Sequence, residues 1–255
     1  STPPLLEALK KHTARPIAVQ SNLVDWGLFD APSRRRNRQF NLLISGTPTH
    51  QGDWSIIEEP LAEFLKVHRE GVKAIFFGEL PTKFSGHPAV QLINFQPDYK
   101  SYASRLRELD IHAALVPLED TEFNRCKSDI KWLEYSAAGI AGIFSNIMPY
   151  NSTIKNGETG LLVNNTADAW FHGMEHLLAN PEVASAIIDS ARREVREHHS
   201  IEALSGSYVA LFNDLLGRKH VRNLYSELPI LPARLGAQAH RFLDKHILWR
   251  FNRKH

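Results

Sequence analysis

Short apolar runs alternate with helical patterns along most of this sequence, and this alternation is the feature that most restricts its fold. Continuous apolar runs predict buried strands at 41–45, 72–77, 90–95, 113–118, 140–145 and 160–163. Apolar residues at helical spacing predict helices at 53–68, 99–109, 128–138, 167–178, 181–198 and 201–216. Alternating strands and helices indicate βαβ units, and strands without polar alternation indicate a sheet covered on both faces. The sequence therefore predicts an α/β fold with a Rossmann-like, doubly wound parallel sheet and extra C-terminal helices.

The composition excludes several other classes of protein. Among 255 residues the formal net charge is only +2, which gives no case for nucleic-acid binding. No apolar run approaches the roughly 20 residues that a membrane span needs. The single cysteine, Cys126, rules out an internal disulfide and a multi-cysteine zinc site. With no recognisable signal peptide, we expect a cytoplasmic protein, and a chain that begins with Ser1 suggests a piece of a longer one.

Changes in composition divide the chain into three parts. We expect an N-terminal segment with a basic linker at 1–38, the Rossmann-like domain at 39–216, and a basic helical extension at 217–255. A short strand is also expected at 17–20. The basic extension has apolar residues roughly on one helical face, which is compatible with two roles. It packs on a neighbouring domain, or it touches anionic lipid and holds the protein at the periphery of the inner membrane.

The candidate site residues follow two predicted strands at the edge where ligands of parallel sheets bind. Gly46, Thr47 and His50 come after the first strand, and Asp53 is expected to cap the helix that follows. After the fourth strand, Lys127, Ser128, Asp129 and Ile130 precede or begin a helix, whose free N–H groups attract anions. A phosphate would take these N–H bonds, the hydroxyl of Ser128 and the charge of Lys127. Glu134, further along, would accept hydrogen bonds from paired sugar hydroxyls.

The alternative is that Lys127, Lys131 and Glu134 are surface charges, with Lys131 and Glu134 forming a weak i, i+3 pair. Other site types find no support in the sequence. It contains no G-x-G-x-x-G, no P-loop, no H-E-x-x-H and no G-x-S-x-G, and its thirteen histidines show no metal-binding spacing.

Two linked stretches resemble a known family. K-S-D-I-K-W-L-E-Y-S-A-A-G-I-A-G-I-F-S (127–145), followed by K-N-G-E-T-G-L-L-V-N-N (155–165), is similar to the donor-binding half of retaining GT-B glycosyltransferases of family 4, the "group 1" transferases. S-N-L-V-D-W-G-L-F (21–29) resembles the segment near the start of that half. The resemblance covers about residues 16–216 and implies that the acceptor-binding N-terminal half is missing.

The resemblance also implies roles for residues. Glu134 matches the second acid of the family's E-x7-E motif, which holds the donor ribose, and Cys126 stands where the first acid belongs. Lys127–Asp129 fall where backbone N–H groups meet the diphosphate, and Gly46–His50 match the glycine loop that faces phosphate. Glu134 and Lys127 are the expected catalytic residues. Glu134 would hold the donor, and the charge of Lys127, with the helix N–H groups, would stabilise the leaving diphosphate.

The sequence therefore predicts the donor-binding domain of a glycosyltransferase that uses a nucleotide-diphosphate sugar, with no cofactor or metal. The expected acceptor is a glycan, and the expected process is bacterial surface polysaccharide synthesis. Because Cys126 replaces an acid, a non-catalytic GT-B-like interaction module of a larger protein remains an alternative, and so does a GT-B-fold epimerase.

Overall fold

The computed structural model of the chain describes residues 2–30 and 39–217. Within these ranges the strands of the sheet are β1 (Phe40–Gly46), β2 (Val72–Gly78), β3 (Val90–Asn94), β4 (Ala113–Val116), β5 (Ala141–Ser145) and β6 (Leu161–Val163). They form one sheet in the order β3-β2-β1-β4-β5-β6, and every pairing is parallel. The predicted Rossmann-like parallel sheet is therefore confirmed.

Helices precede the sheet, connect its strands and follow the last of them. They are α1 (Pro3–Lys10), α2 (Trp26–Phe29), α3 (Gln51–His68), α4 (Tyr99–Glu108), α5 (Glu122–Arg125), α6 (Ile130–Ala137), α7 (Tyr150–Thr153), α8 (Ala167–Ala179), α9 (Pro181–His198) and α10 (Ile201–Gly217). The six long helices expected from the apolar spacing are present. The strand expected at 17–20 is wrong, since these residues form no regular element, and α1 was not predicted.

The sheet is buried on both faces, which explains why its strands are continuous apolar runs. Successive residues of a strand point to opposite faces, and β1 shows this directly. Leu43 belongs to one hydrophobic cluster, whereas Leu42 and Ile44 belong to the other. A strand in this position can carry no polar face, so the sequence reads as an uninterrupted apolar segment.

Residues before the sheet pack on it. Val24 and Phe29 are fully buried, and Val24 forms a bridge with Ser200. The guanidinium of Arg192 on α9 lies over the ring of Trp26, 5.0 Å from its centroid. The segment that resembles the start of a GT-B donor half is thus part of the same hydrophobic core as the sheet.

The chain divides into two compact units, Ser1–Ser205 and Gly206–His255. Of the second unit the structure describes Gly206–Gly217, the end of α10. The basic residues of the N-terminal linker, at 33–38, and the basic extension from residue 218 onward lie outside the described residues. No helix in the described ranges is long and apolar enough to cross a lipid bilayer.

Candidate functional site

The loops after β1 and β4 meet at the carboxyl edge of the sheet. β1 has β2 on one side and β4 on the other, so the strand order reverses between β1 and β4. Ligands of open parallel sheets bind outside the strand ends at this point. β1 leads into residues 47–50 and α3, and β4 leads into residues 117–129 and α6. The residues predicted from the two segments therefore lie at one edge of the molecule.

Asp53 joins the two segments through a buried carboxylate. Its Oδ1 accepts hydrogen bonds from the backbone amide of Glu119 at 2.8 Å and from Nδ2 of Asn124 at 3.1 Å. Its Oδ2 accepts a hydrogen bond from Nδ1 of His50 at 2.8 Å and lies 3.7 Å from Nζ of Lys127. His50 and Lys127, both predicted to face phosphate, thus meet at one carboxylate oxygen.

The carboxylate of Asp53 is charged at neutral pH. Burial raises its pKa, but the hydrogen bonds from His50 and from the amide of Glu119, with the charge of Lys127, bring the pKa below its ordinary value. The expectation that Asp53 caps α3 is wrong. The helix begins at Gln51, and the carboxylate binds the loop after β4 instead of the amides of its own first turn.

Gly46 allows the end of β1 to approach His50. A Cβ atom at Gly46 would lie 2.9 Å from Cδ2 of His50 and 2.9 Å from Cζ2 of Trp54. Any larger residue would therefore displace the imidazole from its present position. In the same loop, the hydroxyl of Thr47 is 2.9 Å from that of Thr49, so these two side chains share a hydrogen bond at the surface.

The start of α6 presents free backbone amides. The helix begins at Ile130, and Asp129 at its N-cap makes no side-chain cap. Within the described parts of the chain, the amides of Ser128, Asp129 and Ile130 donate to no protein atom, and these residues are partly exposed. Lys127 lies one residue before this group, with 29% of its side chain exposed. A positive helix end, free amides and an ammonium group together favour an anion.

The N-terminal segment supports this loop from the side. Nδ2 of Asn22 donates to Oγ of Ser128 at 2.7 Å, and Oγ1 of Thr2 donates to the carbonyl of Cys126 at 2.9 Å. The hydroxyl of Ser128 therefore accepts one bond and keeps its own proton for another acceptor. Cys126, at the end of α5, contributes its carbonyl to this support and is only partly exposed.

Glu134 is a buried carboxylate that two phenols bind. Its Oε1 accepts a hydrogen bond from the hydroxyl of Tyr99 at 2.9 Å, and its Oε2 accepts one from Tyr102 at 3.0 Å. Only 6% of the residue is exposed. Burial raises the pKa of Glu134 to about 7, although the two phenols and the charge of Lys131 lower it in part. The carboxyl group therefore changes its charge near neutral pH.

Lys131 points toward the strand ends, contrary to its interpretation as a surface charge. Its Nζ donates to the carbonyl of Ser45, near the end of β1, at 2.7 Å. Burial lowers the pKa of Lys131 to about 8, despite the attraction of Asp53 and Glu134. Its electrostatic interaction with both carboxylates places a second ammonium group beside Lys127.

Hydrogen bonds from the ends of β5 and β6 hold the loop after β4 in place. The hydroxyl of Ser145, at the end of β5, accepts a hydrogen bond from the amide of Leu118 at 2.8 Å and donates to Oδ1 of Asn165 at 2.7 Å. Nδ2 of Asn165 donates in turn to the carbonyl of Leu118 at 2.9 Å. The side chain of Trp132 holds α6, because its Nε1 donates to the carbonyl of Thr159 at 2.8 Å. The free amides at the start of α6 thus belong to a rigid frame.

Comparisons with solved structures define the fold class further. A glycosyltransferase from Rickettsia africae aligns over 85% of this chain and 62% of its own, with 15% identity and a TM-score of 0.67. The C-terminal domain of LpcC, a glycosyl transferase group 1 family protein from Francisella tularensis, aligns over 70% of this chain and 99% of its own, with 16% identity and a TM-score of 0.53. HepE from Anabaena, in complex with UDP and glucose, aligns over 75% of this chain and 55% of its own, with 10% identity and a TM-score of 0.60.

The chain has the fold of a GT-B glycosyltransferase domain. It spans 62% of the Rickettsia enzyme and 55% of HepE, but 99% of the isolated C-terminal domain from Francisella. At these identities the likeness concerns the fold. No family model matches the sequence, and no curated protein matches it significantly.

Within this GT-B domain, the structure brings several predicted site residues together and adds others. His50 and Lys127 meet at Asp53, beside the free amides of the α6 start. Sequence reasoning assigned no site role to Asp53, Asn124, Lys131, Tyr99 or Tyr102. The i, i+3 spacing of His50 and Asp53 is the one signal that could have indicated their pairing.

No group of three or more His, Cys, Asp or Glu side chains in the described ranges is arranged to hold a metal ion. The individual roles assigned to Gly46, Thr47, His50, Lys127–Ile130 and Glu134 stay predictions.

Proposed function

We propose that this chain is the donor-binding domain of a glycosyltransferase and that it binds a nucleoside-diphosphate sugar at the carboxyl edge of its sheet. One observation carries the proposal: the free amides at the start of α6 directly follow Lys127, whose ammonium lies at the Asp53 oxygen that also binds His50, and the same helix carries the buried carboxylate of Glu134. Backbone amides next to an ammonium group suit a diphosphate, and a carboxylate on the same helix suits ribose hydroxyls. Both are parts of one ligand.

The chemistry that this domain would contribute is stabilisation of the leaving group. When the bond between the sugar and the diphosphate breaks, negative charge grows on the diphosphate oxygens. Lys127 and the N-terminal end of α6 lie in fixed positions and need no reorganisation to meet that charge. The hydroxyl of Ser128 adds a neutral donor, since its acceptor side is occupied by Asn22.

The proposal also includes the remaining parts of the reaction. We propose that transfer retains the anomeric configuration, that the acceptor is a glycan of a bacterial surface polysaccharide, and that a second Rossmann-like domain binds this acceptor. The support is the sequence resemblance of residues 127–145 and 155–165 to family 4 transferases, together with the fold. We also propose that the basic extension at 217–255 reaches an anionic membrane surface, for which its charge and apolar face are the support.

Calorimetric titration of the 255-residue chain with UDP, GDP and dTDP tests the donor site. We expect at least one of them to bind, and we expect Lys127→Met to weaken that binding about tenfold, because a charge-assisted hydrogen bond to phosphate is lost. Lys66→Met is the matched control, since Lys66 is exposed on α3 and forms an ion pair with Glu63 at the surface. A folded chain that binds none of the three would contradict the proposal and favour a non-catalytic module.

A further inference from the structure

The ionised carboxylate of Asp53 determines which ring nitrogen of His50 carries a proton. The carboxylate of Asp53 is ionised and therefore only accepts hydrogen bonds. Nδ1 of His50, 2.8 Å from Oδ2, must be the donor of the bond between them. In a neutral imidazole only one nitrogen carries a proton. Nε2 of neutral His50 is then a bare acceptor, which repels a phosphate oxygen instead of binding it.

The position of Asp53 is itself fixed by elements distant in sequence. Oδ1 accepts from the amide of Glu119 and from Nδ2 of Asn124, so both donors belong to the segment after β4. Oδ2 is left for His50 and Lys127. The carboxylate cannot rotate without losing these bonds, since only 5% of its side chain is exposed. His50 keeps 22% of its side chain exposed, and its Nε2 has no partner in the described parts of the chain.

We propose that Asp53 is the positioning residue of the diphosphate site, which holds His50 in the tautomer whose Nε2 lacks a proton, so that His50 binds a diphosphate only as an imidazolium. This inference rests on the proposed function. It adds that the contribution of His50 depends on the protonation of its imidazole, in a site that also holds the side chain of Lys127. Diphosphate binding therefore gains a donor as the pH falls.

Other charged groups lie around the imidazole of His50. Asp53 attracts the imidazolium from α3, and Lys127 opposes it from the segment before α6. Lys131 on α6 interacts with both Asp53 and Lys127. Glu119 is close as well, since a Cβ atom at Gly52 would lie 3.1 Å from its Oε2. Each of these groups is also present in a variant at position 50, so comparison with that variant isolates the imidazole.

The first experiment reads the tautomer without any ligand. Nitrogen NMR of the histidine-labelled chain at pH 8 distinguishes protonated from bare ring nitrogens, and the spectrum of His50→Gln identifies the resonances of His50 among thirteen histidines. We expect Nδ1 of His50 to carry the proton. In Asp53→Asn the amide oxygen must stay with the donors of Glu119 and Asn124, so the new NH₂ group faces Nδ1 and moves the proton to Nε2. Asp189→Asn, at an exposed position on α9, is expected to leave the spectrum unchanged.

The second experiment measures the affinity for UDP, GDP, dTDP and inorganic pyrophosphate at pH 6 and pH 8. The terminal phosphate titrates in this range, so the reading is the ratio of wild-type affinity to His50→Gln affinity at each pH, in which the ligand's titration cancels. We expect this ratio to rise roughly tenfold from pH 8 to pH 6, because a charge-assisted bond replaces a repulsive contact. At pH 8 the variant should bind at least as tightly as the wild type.

The outcomes separate this inference from the proposed function. Binding with a pH-independent ratio, or a proton on Nε2 in the wild-type chain at pH 8, overturns the inference and leaves the donor site in place. Failure of the wild-type chain to bind any of the four ligands overturns the proposed function and the role of His50 together. If Asp53→Asn does not fold, the wild-type tautomer and the His50→Gln ratio still decide the question.

Discussion

The phenol of Tyr99 donates a hydrogen bond to Oε1 of Glu134 at 2.9 Å, from a residue that is itself 39% exposed. Tyr102 occupies the other carboxylate oxygen and is packed more deeply, with its pKa raised by burial and by the charge of Glu134. Phe29 packs edge-on against both tyrosine rings. The carboxylate expected to hold a ribose is therefore already bound by two hydroxyls of the protein, and the exposed one is the easier to replace.

Replacing Tyr99 by phenylalanine should strengthen nucleotide binding. If a ribose hydroxyl takes the position of the Tyr99 hydroxyl, the wild-type chain must break this hydrogen bond, and the variant need not. We expect Tyr99→Phe to bind UDP a few-fold more tightly, corresponding to about 1 kcal/mol. Tyr102→Phe is the comparison, and this substitution should destabilise the fold without increasing the affinity for UDP. Unchanged affinity in Tyr99→Phe would mean that the ribose does not replace this phenol.

The titration of Glu134 should appear as a pH dependence of stability. Its pKa is about 7 in the folded chain against an ordinary 4.5. The folded state therefore binds this proton more tightly than the unfolded state does, and the resulting stability is complete below pH 4.5 and lost as the pH rises through 7. Glu134→Gln stays neutral at every pH. We expect the free energy of unfolding of the wild type to fall relative to this variant by up to about 3 kcal/mol between pH 4.5 and pH 8.

Urea denaturation followed by tryptophan fluorescence measures this difference at several pH values. Glu182→Gln, at an exposed position on α9, is the control and should follow the wild type throughout. Parallel curves for the wild type and Glu134→Gln would show that Glu134 is not desolvated in the folded chain.

The depressed pKa of Lys131 predicts a pH-dependent effect on ligand binding. At pH 7 its ammonium is charged and lies beside Lys127, so Lys131→Met should weaken UDP binding several-fold, as expected for the loss of one cation near phosphate. Its pKa is about 8 in the folded chain, so above pH 9 the lysine is neutral and the variant should bind as the wild type does. Calorimetry at pH 7 and pH 9.5 compares them, with Lys66→Met as control.

Lys131 also gives a stability signal of the opposite sign to that of Glu134. Its pKa is depressed from 10.5 in the folded chain, so the stability it contributes is present above pH 10.5 and is lost as the pH falls through 8. Lys131→Met has no group that can bind this proton, so its stability should not show this dependence on pH.

The binding experiment also has an outcome that contradicts the role of the charge. If Lys131→Met changes UDP binding equally at pH 7 and pH 9.5, Lys131 acts through its hydrogen bond to the Ser45 carbonyl and not through its charge.

The sequence by itself determined the architecture. Apolar runs and helical spacing are local signals. In a sheet covered on both faces, neither face of a strand needs polar residues, so each strand appears as a continuous apolar run. The strands at 72–78 and 141–145 and the helix at 181–198 were therefore predicted within a residue or two. The short helix α1 was not predicted, because eight residues contain too few helical turns to show a periodic pattern of apolar residues.

Only the tertiary structure decided how the site is organised. The sequence predicts that Asp53 caps a helix, whereas its partners in the structure, Glu119 and Asn124, are 66 and 71 residues away. The phenols on Glu134 come from 35 and 32 residues earlier in the chain. Hydrogen bonds between groups so distant in sequence follow from the order of the strands, which brings the ends of β1 and β4 together, and not from any local pattern. The same burial that creates these contacts shifts the pKa values of Glu134 and Lys131, because a charge is costly where water is excluded.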